Sequence, residues 1–159
     1  MCSHGEDGAM GLIVNKPAAE LSFTDLLEQV GVTPGDGADG FSVHFGGPVE
    51  VGRGFVLHSD DWEAPGATRA LPGGLALTAT VEILRAIAAG RGPARALLGL
   101  GYSGWGPGQL EGEILDNGWL TCPADAEIIF GVSDDDKWAA SLRRIGVDPA
   151  LLSATGGSA

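Results

Sequence analysis

The chain has 159 residues, 44% of them hydrophobic and 19% charged, and carries a formal charge of −12 from 21 acidic and 9 basic side chains. That length suits one domain with its own core, and the scattered lysines and arginines argue against a nucleic-acid surface, which needs clustered positive charge. No apolar run approaches a membrane span, and no basic segment followed by an apolar stretch opens the chain as a secretory signal would.

GLIVN (11–15), ended by Lys16-Pro17, reads as a buried strand. In LSFTDLLEQVGV, Ser22 suits an N-cap with Asp25 as a variant capping box. Leu21 and Leu26 sit at the staple positions and Gly31 at C′, which predicts a helix over 23–30. TPGDGADG (33–40) is a polar loop. SVHF (42–45) and GFVLHS (54–59) read as strands joined across GGPVEVGRG, where Gly46 and Gly47 fix a turn. A loop opened by Asp60, Asp61 and Trp62 leads to LALTA (75–79), a third strand. VEILRAIAAG follows as a helix whose inner face is Val81, Leu84, Ile87 and Ala88.

RALLGLG (95–101) reads as the next buried strand. Pro107 fits N1 of a helix with Leu110, Ile114 and Leu115 inside, stopped at Asn117-Gly118. WLTC (119–122) reads as a short strand, and DAEIIFG fits a helical turn or a strand. The last helix is capped by Ser133 and lined by Trp138, Leu142 and Ile145. The small polar residues from Ser153 predict a loose tail. Without linker or repeat, these elements describe one α+β or α/β domain.

Gly99-Leu-Gly101-Tyr-Ser-Gly104 matches the dinucleotide fingerprint, but so does Gly35–Gly40 in a polar loop, so the match carries little weight. Gly101-Tyr-Ser103-Gly-Trp105 nearly matches the nucleophile elbow. Trp replaces the last glycine, however, and all three histidines, His4, His44 and His58, precede the serine. No Walker loop is present, and free amides near Pro107–Gln109 offer no more than most helix starts. His44 and His58, with Asp60 and Asp61 beyond, could form a His/carboxylate metal site if their strands were neighbours. Satisfied structural histidines are the simpler reading. Glu111 and Glu113, two apart, cannot share a helix face. Cys2 and Cys122 read as free thiols.

GAMGLIVNKP (8–17), HFGGPV (44–49), GFVLH (54–58), GYSGWGPGQLEGEI (101–114) and WLTCPAD (119–125), in this order, resemble the YqgE/AlgH family of bacterial proteins. The likeness runs on into KWAASLRRIGVD of the final helix. It implies a single α+β domain over 1–152, ahead of the flexible tail expected over 153–159, with a bifurcated β-sheet folded into a pseudo-barrel and packed helices. It implies a cytoplasmic protein and, if the family's association with gene regulation holds, action through protein contact rather than DNA contact. It supplies no reaction, catalytic residue, cofactor or metal. Met1 aligns inside the family's usual N-terminal segment, so the expectation is a chain lacking a first strand, with an open sheet edge.

The glycine-dense stretch 99–109 is therefore expected to be a corner, bordered by a shallow concavity lined by Asn15, Lys16, Tyr102, Ser103, Trp105 and Gln109. The function expected is a non-enzymatic binding or regulatory module. The alternative is an enzyme binding a small molecule at that turn.

Overall fold

The computed structural model describes residues 1–152; the tail expected over 153–159 lies outside them. The chain opens with a hairpin of β1 (Ser3–Gly5) and β2 (Gly8–Gly11), paired antiparallel with Ser3 opposite Met10. Gly8 turns it at φ +123°, and a side chain there would meet the Trp105 carbonyl at 2.3 Å. Strand β2 stops at Gly11, so the strand expected over 11–15 is displaced toward the N-terminus. Beyond it the chain runs irregularly beside β3 (Val43–Phe45). There Ile13 N–H donates to the Gly46 carbonyl (2.9 Å), Phe45 N–H to Lys16 (2.8 Å) and Ala18 N–H to Val43 (2.8 Å). The last two bonds flank an isolated antiparallel bridge between Pro17 and His44, which needs no N–H from the proline.

Helix α1 (Phe23–Gln29) forms as its caps dictate. Ser22 Oγ accepts the Asp25 N–H at 3.0 Å, and Gly31 leaves the helix at φ +70°. Phe23 and Leu27 are buried, whereas Leu21 stays exposed. Strand β4 is longer than expected, Val49–Ser59, and takes in most of the stretch read as a turn. Strand β5 (Thr68–Leu71), read as loop, pairs with β6 (Leu75–Thr78). Helix α2 (Val81–Ala88) buries Ile83, Ile87 and Ala88, with Val81 and Leu84 only flanking. The predicted inner face omitted Ile83, its most buried member.

Strand β7 (Ala96–Trp105) organises the sheet, whose order is β1-β2-β7-β4-β6-β5 with β3 also beside β7. Over Leu98–Leu100 it has parallel β3 on one flank and antiparallel β4 on the other. Over Ser103–Trp105 the first flank belongs to β2 instead. The sheet forks between these two partners at Gly101, where φ is +70° and a Cβ would lie 2.4 Å from the Gly47 carbonyl oxygen. The glycine-dense stretch is thus a bend inside a continuous strand and not, as expected, its end. The result is the α+β single domain with a bifurcated, curled sheet.

Helix α3 (Gln109–Leu115) starts after Gly108, at φ +71°, so Pro107 precedes the helix instead of occupying N1. Leu110 is buried but Leu115 is exposed, and the helix does not hide the three residues assigned to its inner face. WLTC forms no strand; residues 118–125 are irregular. DAEIIFG resolves as α4 (Ala126–Gly131), capped by Asp125, whose carboxylate accepts the Glu127 N–H at 2.9 Å. Helix α5 (Asp134–Arg144) has three aspartates in its first turn and two arginines in its last, matching the helix dipole. Ser133 Oγ donates to Asp136 (2.7 Å) rather than capping an amide, and Trp138, expected on the packed side, is 55% exposed.

Alternation along β4 builds two cores. Val56 points into a cluster with Leu98, Ile83, Ile87, Phe23 and Leu27, roofed by α1 and α2. Phe55 and Leu57 point the other way, to Leu75, Leu77 and Cys2, where α4 packs through Ala126, Ile129 and Phe130.

Candidate functional site

The far half of β7 carries Ser103 and Trp105 to the wall of an apolar groove of about 330 Å³. Leu12–Asn15 form another wall, Leu110 and Ile114 of α3 a third, and Trp119–Thr121 the rim. Glu113 fixes this arrangement. One carboxylate oxygen accepts both indole N–H groups, from Trp105 at 3.0 Å and Trp119 at 2.6 Å, and the other accepts Gln109 Nε2 at 3.0 Å. Those hydrogen bonds, Trp119's first, hold the Glu113 carboxyl below its ordinary range, so it stays ionised near neutral pH. Gln109 Oε1 in turn accepts the Gly106 N–H at 3.0 Å. The two indoles meet edge to face, 5.7 Å between centroids. Glu111 points elsewhere, to His4 Nε2 at 2.5 Å.

Of the six residues proposed to line a single concavity, Asn15, Ser103 and Trp105 meet in this groove. Gln109 stands behind it as a support for Glu113. Lys16 lies apart, its ammonium 4.8 Å over the Phe45 ring. Tyr102 does not line the groove and packs edge-on against Phe55 at 5.6 Å in the second core. The single concavity is therefore divided, because neighbouring residues of a strand point to opposite faces.

Neither sequence motif at this stretch has its required geometry. Gly99–Gly104 lies within β7, with no strand-to-helix turn, and Ser103 sits in a ladder opposite Gly11. Among the described residues no histidine hydrogen-bonds Ser103.

His44 and His58 are on β3 and β4, which β7 separates, so their strands are not neighbours. His58 is fully buried in a chain of hydrogen bonds with one direction. Ala64 N–H donates to Thr68 (2.9 Å), Thr68 to Thr78 (2.8 Å) and Thr78 to His58 Nε2 (2.9 Å), while His58 Nδ1–H donates to the Ser59 carbonyl (2.8 Å). A neutral imidazole protonated at Nδ1 fits this chain, with every group in it partnered. Burial pushes His58 below its ordinary pKa, opposed by the Ser59 carbonyl and by Asp61. Asp61 itself is held by the Ser59 hydroxyl at 2.6 Å.

His44 joins a cluster that sequence reasoning missed. Its Nε2–H donates to Asp134 at 3.1 Å, while Lys137, only 6% exposed, donates to Asp134 Oδ1 at 2.6 Å and to the Val14 carbonyl at 2.7 Å. Burial alone would raise the Asp134 pKa, but the hydrogen bonds from Lys137 and His44 outweigh it and hold the carboxyl below its usual range. The Asp134–Lys137 spacing was readable as a helical pair; His44, 90 residues away, was not. Among the described residues no three His, Cys, Asp or Glu side chains gather as a metal site would require.

Lys137 also lines a second groove, about 510 Å³, between α4–α5 and the sheet. Cys2, Leu57, Leu71 and Leu75 form its sheet wall, and Ile129 and Trp138 face them. Burial raises the Cys2 thiol pKa, which keeps it protonated, and Cys122 on the rim is exposed.

The forked sheet and the two grooves can be set beside known proteins. A family model described as AlgH-like matches residues 1–150. The chain belongs to the AlgH-like family. Among its AlgH-like relatives, a UPF0301 protein of Cereibacter sphaeroides is 52% identical, aligned over all of this chain and 86% of its own length. One from Ruegeria pomeroyi is 56% identical, over 100% of this chain and 86% of that protein. The solution structure of AlgH from Pseudomonas aeruginosa superposes with a TM-score of 0.79 at 43% identity, covering 99% of this chain and 82% of that one. A crystal structure from Corynebacterium diphtheriae, 18% identical with a TM-score of 0.69 over 89% of this chain and 73% of its own, shares the fold alone.

Proposed function

We propose that this AlgH-like protein is a cytoplasmic binding or regulatory module that acts through contact with another protein, and that the contact is made at the groove of Asn15, Ser103 and Trp105. The observation that carries this is the groove's lining. It combines aliphatic side chains with two indoles, and among its described residues no side chain is titratable. Such a surface suits an apolar anchor from a partner, and its lining sets no titratable side chain beside the Ser103 and Thr121 hydroxyls to activate them. The net charge of −12 favours a protein over a nucleic acid as that partner. Among the described residues no helix is long and apolar enough to cross a membrane.

The test is affinity capture from the cytoplasm of the source bacterium, using the wild type and a Ser103→Trp variant that fills the groove. A partner recovered reproducibly with the wild type and lost with the variant is the expected result. A tightly bound metabolite in place of any protein would overturn the reading.

A further inference from the structure

We propose that α4 and α5 form a hinged arm, latched over the larger groove by Asp134, Lys137 and His44, which opens while the sheet stays folded. The arm is weakly buried: α4 has no fully buried residue, and α5 has two, Lys137 and Leu142. The two helices are tied to one another by Arg144 Nε donating to Asp125 at 3.0 Å, so they move as one body. Among the described residues their polar ties to the rest of the molecule are few. Lys137 reaches the Val14 carbonyl, Asp134 reaches His44 on β3, and Glu127 pairs with Arg95 in the open.

Beneath the arm the packing is incomplete. Ile129 rests on the second core, yet the groove of about 510 Å³ separates much of α5 from Leu57, Leu71 and Leu75. Walls that do not touch forgo dispersion energy. Segments held by few buried contacts open at lower free energy than the sheet they cover. The connection that would flex is the irregular stretch 118–125, preceded by Asn117 at φ +61°. Lys137 is the keystone because one ammonium ties α5 both to its own Asp134 and to the segment beside β3. Removing it leaves the half-buried Asp134 with only His44 as a partner.

The groove wall supplies its own reporter, Cys2, which is 7% exposed. In the full-length chain carrying Cys122→Ser, Cys2 reactivity toward dithionitrobenzoate and residue-resolved amide exchange are measured with and without Lys137→Ala. The variant is expected to speed Cys2 labelling and exchange over 134–144 by about tenfold or more, leaving Val56 and Leu98 unchanged. Equal acceleration of arm and sheet, or none in the arm, overturns the proposal. Should Lys137→Ala not fold, exchange in the wild type along a urea series decides. Arm amides must then show a smaller urea dependence than Val56 and Leu98, and a single common dependence overturns the hinge.

Discussion

The two faces of strand β4 are finished in different ways. On the Val56 side, ten buried residues close against one another under α1 and α2. On the Phe55 and Leu57 side the buried set is half as large, five residues, and α4 covers it beside an open groove. The chemistry of the side chains hardly differs, since both faces are aliphatic and aromatic. What differs is the roof: two helices with apolar faces on one side, and on the other a helix pair of which only α4 packs apolar residues on the core, helped by a few polar ties. The sealed face supplies stability, and the half-roofed face keeps apolar surface near solvent.

The comparison can be broken by mutation, and the largest effect is expected at its sealed end. Ile83→Ala, at a position with no exposure, should cost about 2–5 kcal/mol in urea unfolding. Leu71→Ala, on the open groove wall, should cost less than about 1 kcal/mol, and equal losses would abolish the distinction. Next comes the fork that both halves share. Gly101→Val combines φ +70° with a clash 2.4 Å from the Gly47 oxygen and should cost at least about 2 kcal/mol. A thermal midpoint matching wild type would remove Gly101 as the hinge of the sheet. Thr78→Val, which orphans the His58 acceptor and the Thr68 hydroxyl, should cost about 1–3 kcal/mol.

Acidity sharpens the contrast, with the smallest effects. His58 has a folded pKa below its unfolded value, so the unfolded chain binds the proton first. Its contribution is fully present above about pH 6.5 and is lost as pH falls through the folded pKa. Asp134 is also depressed, so the arm keeps its contribution above the ordinary carboxylate value near 3.9 and loses it only in stronger acid. Urea midpoints between pH 7 and 5 should decline for the wild type and flatten for His58→Gln. A slope unchanged by that substitution would take His58 out of the account.

Much of the fold was legible where one residue dictates a local geometry. Ser22 and Gly31 marked the ends of α1 because a cap and a left-handed exit are local events. Strand β7 was cut short because glycine clusters signal turns. Here Gly101 bends a strand that continues, and only the arrival of Gly46 and Gly47 from a distant segment explains it. WLTC has a strand's composition but finds no pairing partner. For the candidate site, Asn15, Ser103 and Trp105 could be named because they sit in conspicuous stretches. The clasp of Trp105 and Trp119 on Glu113 needed the path of the loop after α3. Tyr102 was misplaced because the expected corner hid the strand alternation that sends it to the opposite face.

Strand β7 also sets a timetable for the growing polypeptide. β2, β3 and β4 all take it as a neighbour, yet it is not complete until residue 105. During synthesis at about 5–20 residues per second, the earlier strands leave the ribosome seconds before the partner they share. Their sticky edges must wait uncovered through that interval, so the hazard of misassembly falls on the nascent chain more than on the finished protein.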